Sequence, residues 1–290
     1  MQEQDAKQAW LEILTQGRDA DPVKAVLEEL SEFSGLPIAE VEQIAANSNR
    51  ITGEKWAQAD RSTPEGMRAF YASVSNWVFG TLNYHAKQAL LDHAPLPAIV
   101  AGELDGVPPG EFLDFGAGVG TACLLFDRIG WRVTAADVSP PLMEFAAWRF
   151  RKHGANIPII DLNAQDLEPG KYDVIAGFNT MAHIVDVRPT IEKLWRALKP
   201  GGLLMFDIDS RSKDQQMYWH VLESHYPFLR VMRSAGFEFV RQRDGIYVYR
   251  RVERTPLGRF VWQLRDGVRY GPAVQIMANL KNRISARLRG

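Results

Sequence analysis

The chain has 290 residues, of which 46% are hydrophobic and 24% charged, so it can bury the core of one large domain with an appended segment. A formal charge of −1 provides no overall field that attracts nucleic acid, and a single cysteine, Cys123, excludes an intramolecular disulfide. The sequence lacks the positive start and apolar run of a signal peptide, as well as any apolar stretch that could span a bilayer, which together predict a cytoplasmic protein without integral membrane association.

Charge is distributed unevenly along the chain. Residues 1–44 have a balance of −7, whereas residues 253–290 have a balance of +6. The basic residues of this second segment alternate with apolar ones, which favours a solvated helix face over a tail that grips phosphate or membrane. Residues 253–290 are therefore predicted to form a basic C-terminal helical tail, with a terminal helix from Ala273 to Leu288.

Residues 1–105 are predicted to form a helical N-terminal cap. Asp21-Pro22 is an N-cap followed by proline at the first helical position, and the apolar spacing continues to Gly35. Another helix is predicted to begin at Thr63-Pro64, and its apolar stripe requires a packing partner. This stripe consists of Met67, Phe70, Tyr71, Val74, Trp77, Val78 and Leu82.

Residues 106–252 show short apolar runs that alternate with amphipathic stretches, a pattern typical of a parallel sheet covered by helices. Strands are predicted at Phe112–Phe115, Arg132–Ala136, Ile157–Leu162, Val174–Phe178 and Leu203–Ile208. Helices are predicted at Leu142–His153, Thr190–Leu198 and Phe228–Ser234. Two alternating runs, Glu238–Arg241 and Ile246–Val252, flank Asp244-Gly245 and predict a hairpin.

A glycine-rich turn, from Asp114 to Gly120, follows the first predicted strand. Glycines let the backbone turn tightly and approach a ligand, and the next helix offers free amides at its N-terminus. Asp137 ends the second strand, where a carboxylate can accept hydrogen bonds from a ribose, so a nucleotide site is predicted. Thr121 stands where a nicotinamide site needs a glycine, and Asp114 would repel phosphates but attract a cationic amino group and a sulfonium.

With these motifs the chain resembles the class I S-adenosyl-L-methionine (SAM)-dependent methyltransferases over about half its length, from Glu111 to Val252. The motifs are Leu113–Gly120, Asp137, Tyr172-Asp173-Val174-Ile175, Leu198-Lys199-Pro200-Gly201-Gly202 and Ala235-Gly236-Phe237. The resemblance implies an α/β fold with a Rossmann-like, doubly wound seven-stranded sheet, parallel except for one antiparallel strand. It also implies SAM as the cofactor and S-adenosyl-L-homocysteine as the product.

The resemblance further implies the residues that bind SAM. They are Asp114, Gly116, Ala117, Gly118, Asp137, Val138, Asn163, Ala164, Phe178 and Asn179. Among them, Asp137 is expected to bind the ribose and Val138 to pack on adenine. Asn163 is expected near the adenine amine, where the family often has an acid.

The acceptor is expected beyond the carboxyl ends of the strands, near Asn179. Candidate catalytic or acceptor-binding residues are Asn179, His183, Tyr218 and Tyr84. Tyr71, Trp77, Tyr84 and His85 are candidates for a lid whose aromatic faces stabilise the sulfonium, and the alternative is that they belong to the buried stripe of an amphipathic helix. No spacing of Cys, His and Asp suggests a metal site.

The leading hypothesis is methyl transfer from SAM to a small molecule, without nucleic acid as a partner. One alternative is a SAM cyclase or alkyl transferase that releases methylthioadenosine, as in azetidine-2-carboxylate formation. A further alternative is a SAM-binding module without catalysis. The sequence leaves open the acceptor, its reacting atom and the oligomeric state, a homodimer included.

Overall fold

The computed structural model describes residues 1–184, 186–209 and 225–271, together with 274 and 276. The helices are α1 Glu3–Thr15, α2 Pro22–Ser34, α3 Ile38–Gln58, α4 Pro64–Ser73, α5 Asn76–Ala89, α6 Leu96–Glu103, α7 Thr121–Arg128, α8 Pro140–Lys152, α9 Val187–Ala197, α10 Tyr226–Ala235 and α11 Pro256–Arg269. The strands are β1 Glu111–Phe115, β2 Arg132–Asp137, β3 Ile159–Asp161, β4 Tyr172–Gly177, β5 Leu198–Asp207, β6 Phe237–Arg243 and β7 Ile246–Arg251. A 3-10 turn spans Met181–His183.

The strands form one seven-stranded sheet in the order β3-β2-β1-β4-β5-β7-β6. Strand β1 runs parallel to β2 and β4, and β2 runs parallel to β3. Strand β7 runs antiparallel to both β5 and β6, which confirms the predicted α/β sheet with one antiparallel strand. The β6–β7 hairpin turns at Asp244 and Gly245, both with positive φ, as the predicted turn requires.

Strand β5 begins earlier than the sequence predicts. The sequence predicts a helix to Leu198 and a strand from Leu203, which leaves Lys199-Pro200-Gly201-Gly202 as the end of the helix, but α9 already ends at Ala197 and these residues lie inside β5. The chain becomes extended at Leu198, where φ is −68° and ψ is 149°. The glycines therefore lie in the first half of a ten-residue strand rather than at a helix cap.

The chain divides into two compact units. The first contains Met1–Leu167 and Tyr172–Phe178, so the N-terminal helices and strands β1 to β4 belong to the same unit. The second contains Glu168–Lys171 and Asn179–Gly290. In the part of the chain that the structure describes, no helix is both long and apolar enough to span a membrane.

The helix predicted from Pro64 is two helices, α4 and α5, separated by a break at Val74 and Ser75. A buried polar cluster accounts for the break. The Asn76 side chain donates to the Ser48 carbonyl (3.0 Å) and to Thr52 Oγ1 (2.6 Å), and Ser48 Oγ donates to the Asn76 carbonyl (2.9 Å). Buried polar groups need hydrogen-bond partners, and Asn76 finds its partners on α3. The helix is therefore interrupted just before Asn76.

Gly120 has a φ of +74°, and a Cβ at this position would lie 2.5 Å from a ring carbon of Phe150. Gly154 has a similar φ of +69° with nothing within 4 Å of its Cβ position. We expect Gly154→Ala to lower the free energy of unfolding by about 1 kcal/mol through backbone strain, and Gly120→Ala to cost about 1–3 kcal/mol more through overpacking. Urea unfolding measures both, and equal losses would contradict the close packing at Gly120.

Candidate functional site

The glycine loop after β1 exposes its backbone at Gly118. The amides of Gly116 and Ala117 both donate to the carbonyl of Ala136 on β2, at 2.8 and 3.1 Å, which holds the start of the loop against the neighbouring strand. Gly118 adopts a φ of +56°, and a Cβ there would meet nothing within 4 Å. The loop is therefore anchored at its start and open to a ligand at its centre.

Asp137, at the end of β2, is buried and accepts three backbone hydrogen bonds. Its Oδ2 accepts from the amide of Gly118 (2.8 Å), and its Oδ1 accepts from the amides of Val138 (2.7 Å) and Ser139 (2.9 Å). Burial raises the pKa of Asp137, although these hydrogen bonds act in the opposite direction. Since a carboxylate offers about four acceptor positions, one remains for a further donor.

Asp114, on β1, has a carboxyl oxygen without a partner. Its side chain is buried, and its Oδ2 accepts a hydrogen bond from the Cys123 thiol at 3.2 Å. Its Oδ1 is buried and has no hydrogen-bond partner among the described residues. Burial, helped by the charge of Asp137, raises the pKa of Asp114 to about 7 despite the thiol hydrogen bond. A cation beside this carboxyl would stabilise its ionised form.

Asn163 lies in the turn after β3 and is exposed. Its side-chain nitrogen donates to the Val138 carbonyl (2.8 Å) and to Asp161 Oδ1 (2.9 Å), and the Ala164 amide donates to the Asp161 carbonyl (3.0 Å). Both amide hydrogens of the Asn163 side chain are therefore used. Its side-chain oxygen is the atom left to accept a hydrogen bond from a ligand.

Phe178 follows β4 and is half-buried in the first unit. Its ring lies parallel to that of Phe126 on α7, with 6.4 Å between the ring centroids. Residue Phe126 is itself stacked on Phe112 of β1 at 3.9 Å. The ring of this expected SAM-binding residue is thus held by stacked aromatic residues of the first unit.

Asn179 and His183 belong to the second unit. Asn179 has a φ of +52°, and its amide donates to Oδ1 of Asp207 at 2.7 Å. Burial raises the pKa of Asp207 to about 6 even though it accepts this hydrogen bond. His183 ends the 3-10 turn, and its amide donates to the Thr180 carbonyl at 3.0 Å.

Tyr218 lies outside the described residues, so its role stays a prediction, as do the roles of Asn179 and His183. Across the ranges that the structure describes, no three or more His, Cys, Asp or Glu side chains are grouped so that they could hold a metal ion. The remaining candidates come from the N-terminal helices.

Tyr71, on α4, lies on the Asp137 side of the first unit. Its carbonyl accepts a hydrogen bond from Ser139 Oγ at 3.1 Å. Burial and the charge of Asp137 raise the pKa of Tyr71 to about 12, so its phenol stays protonated at neutral pH. The Trp77 ring lies 5.9 Å from the Tyr71 ring, and these two aromatic residues are therefore in contact with each other.

Tyr84 and His85 are adjacent on α5 but have different surroundings. Tyr84 is 49% exposed, and its hydroxyl accepts a hydrogen bond from Gln88 at 2.9 Å. His85 Nδ1 lies 2.9 Å from the hydroxyl of Thr121, the first residue of α7 after the glycine loop. Burial, and secondly the charge of Arg149, lower the pKa of His85 to about 3, so His85 is neutral at physiological pH.

A buried ion pair that contacts the end of the glycine loop was not predicted from the sequence. Arg149 on α8 donates to the Thr121 hydroxyl (2.6 Å), to the Val119 carbonyl (3.4 Å) and to Glu29 Oε1 on α2 (3.0 Å). The side chains of Arg149 and Glu29 are fully buried. Burial acts to raise the pKa of Glu29, but the charge and hydrogen bond of Arg149, together with His153 at 3.6 Å, outweigh it, and the pKa is lowered.

The sequence does contain a signal for this pair. Glu29 falls on the apolar stripe of α2 beside Val26 and Leu30, and Arg149 falls on the buried face of α8 beside Phe145. Charged residues are almost never fully buried unless they are paired. An acid on one apolar stripe and a base on another therefore predict each other as partners.

Comparison with known proteins agrees with this geometry. Residues 113–204 match the family model described as a methyltransferase domain. The malonyl-[acyl-carrier protein] O-methyltransferase of Acetivibrio thermocellus is 33% identical over 108 residues, which cover 36% of this chain and 37% of that protein. The ubiquinone biosynthesis O-methyltransferase of Saccharophagus degradans is 28% identical over 132 residues, covering 44% of this chain and 56% of that protein.

Among solved structures, phosphoethanolamine N-methyltransferase 2 of Haemonchus contortus in complex with SAM aligns with a TM-score of 0.49 and 20% identity. The alignment covers 60% of this chain and 46% of that one. The seven-stranded sheet with its one antiparallel strand is Rossmann-like. Through residues 113–204 the chain is similar to methyltransferases, and it spans about a third to just over half of the length of the curated relatives above.

Removing one member of the buried ion pair should destabilise the protein. We expect Arg149→Met to lower the free energy of unfolding by about 3–5 kcal/mol, because it leaves the Glu29 carboxylate buried without its counter-charge. Lys152→Met is the matched control, since Lys152 joins the same two helices through Glu32 at the surface and should cost at most about 1 kcal/mol. Urea unfolding at neutral pH measures both, and equal effects would contradict the importance of the buried pair.

Proposed function

We propose that this protein transfers a methyl group from SAM to a small-molecule acceptor. The observation that carries the proposal is the Asp137 carboxylate, which holds the glycine loop through Gly118 and keeps one acceptor position beside the open backbone. The domain match supports methyl transfer as the reaction class. Oxygen acceptors are the first to test because two of the matched relatives are named as O-methyltransferases.

The nucleoside part of SAM fits the donors and acceptors at β2 and β3. The remaining acceptor position of Asp137 would bind a ribose hydroxyl, and Val138, next in the chain, would pack against adenine. The side-chain oxygen of Asn163, whose nitrogen is already engaged, would accept a hydrogen bond from the adenine amine. Ala164 lies beside it in the same exposed turn.

The methionyl part of SAM fits the loop and Asp114. The unpartnered Oδ1 of Asp114 is suited to a positively charged neighbour, and the SAM amino group and sulfonium supply positive charge. Gly116, Ala117 and Gly118 would line this part of the cofactor, and Phe178 would close its far side. Bound there, SAM supplies a methyl group activated by its positively charged sulfur.

The protein residues would contribute mainly alignment, because methyl transfer is an in-line displacement at carbon. His85 is an unsuitable general base, because it is hydrogen-bonded to Thr121 and because its pKa of about 3 makes it a weak proton acceptor. The candidates for a base or for acceptor binding remain Asn179, His183, Tyr218 and Tyr84. A cytoplasmic location and the absence of a nucleic-acid partner also stay predictions, and the oligomeric state stays open.

The reaction is tested by incubating the purified chain with SAM alone and then with a panel of hydroxyl, amine and thiol acceptors, followed by mass spectrometry. We expect S-adenosyl-L-homocysteine and a product heavier by one methylene, only when an acceptor is present. Methylthioadenosine formed from SAM alone would instead support the cyclase alternative, for which the comparisons give no support. Binding of SAM without either product across the panel would favour a module without catalysis.

Asp114 should make SAM binding depend on pH. Because the pKa of Asp114 is about 7 and SAM is positively charged, binding favours the ionised carboxylate and is weakened as this group becomes protonated. We expect SAM affinity to fall roughly fivefold between about pH 7 and about pH 6, a range in which the SAM amino group stays mostly protonated. Titration calorimetry should show this slope in the wild type and a much smaller one in Asp114→Asn, and a wild-type affinity independent of pH would contradict the role of Asp114.

A further inference from the structure

Helix α11, in the second unit, exposes its apolar side. Leu257, Phe260, Val261, Leu264 and Val268 recur every three or four residues and therefore lie on one stripe of the helix. Their exposed fractions run from 43% at Val261 to 80% at Val268. A surface helix of a globular protein ordinarily buries such a stripe, so the orientation of α11 is the reverse of the usual one.

The polar side of α11 makes the contact with its own unit. Asp266 is buried and accepts two hydrogen bonds from Arg233 on α10, at 3.0 and 2.5 Å. The Arg233 guanidinium also lies 4.2 Å from the centre of the Trp262 ring. The helix is therefore fixed through a paired charge and an arginine–tryptophan contact, and this attachment leaves the apolar stripe outward.

The surroundings of the stripe are positively charged. Arg265 and Arg269 are both exposed on α11, while its acidic residue, Asp266, is paired with Arg233. An exposed apolar stripe with basic flanks matches the chemistry of an anionic lipid surface, where acyl chains and phosphates lie next to each other.

We propose that α11 is a docking surface for the face of an anionic phospholipid bilayer. The apolar stripe enters the boundary between headgroups and acyl chains, and Arg265 and Arg269 contact lipid phosphates. A helix of 14 residues is about 21 Å long, so it lies in the plane of the interface rather than across the bilayer. A second copy of the chain fits less well, because packing two stripes together would bring two basic flanks into contact.

The test uses the full chain and flotation with phosphatidylcholine vesicles, with or without about 30 mol% phosphatidylglycerol. We expect the chain to float with the anionic vesicles, to remain unbound with phosphatidylcholine alone, and to lose most binding at about 0.5 M salt. Arg265→Gln and Arg269→Gln should each weaken the partition coefficient about fivefold.

The apolar stripe is tested with the double variant Phe260→Ser/Leu264→Ser, which should weaken partition by roughly tenfold or more. The matched control is Leu90→Ser/Leu91→Ser, which removes two side chains of comparable exposure from the end of α5 and should leave partition unchanged. Thermal unfolding checks each variant. If the stripe variant is destabilised, Val268→Ser takes its place, because that side chain is 80% exposed.

Four results would overturn the proposal. They are no flotation of the wild type with anionic vesicles, equal flotation with both vesicle types, undiminished binding by the folded stripe variants, and a dimer in light scattering that the stripe variants convert to a monomer. The last result would assign the stripe to a second copy of the chain. The proposal is independent of methyl transfer, since lipid binding is measured without SAM or an acceptor.

Discussion

The proposed cofactor site depends on one interaction, in which the buried carboxylate of Asp137 accepts hydrogen bonds from three backbone amides. By accepting from Gly118 as well as from Val138 and Ser139, this group ties the loop after β1 to the end of β2. Hydrogen bonds to a charged group are stronger than neutral ones, so the loop is held before any ligand arrives. The same carboxylate keeps one acceptor position, and in this way the residue that shapes the loop is also suited to bind a ribose.

The buried side chain of Arg149 makes a second set of contacts with the glycine loop. Arg149 contacts Val119 and Thr121 on either side of Gly120, and it is itself neutralised by Glu29 on an N-terminal helix. The N-terminal helices are therefore joined to the glycine loop within one compact unit, as well as being candidates for a lid. Because a buried charge without its partner is costly, this pair couples the packing of α2 to the geometry of the proposed cofactor site.

The sequence predicted the sheet and the glycine loop well, because apolar runs, glycines and the strand-end Asp137 are local signals. It missed the break at Val74, since the cause is a partner on α3, Ser48, which is distant in sequence. The Glu29–Arg149 pair was missed for a similar reason, although both residues lie on apolar stripes. The basic tail was predicted to be helical, but periodicity fixes only which residues share a face. The outward orientation of the α11 stripe follows from the Arg233–Asp266 contact, which only the structure provides.

The most direct test of the central claim is titration calorimetry of SAM and S-adenosyl-L-homocysteine with Asp137→Asn. The control is Asp173→Asn, because Asp173 also accepts a backbone hydrogen bond, from Glu111 at the start of β1. We expect the wild type to bind both compounds, Asp137→Asn to weaken the binding of both by roughly tenfold or more, and Asp173→Asn to leave their binding nearly unchanged. Undiminished binding by folded Asp137→Asn, or no binding by the wild type, would contradict the central claim.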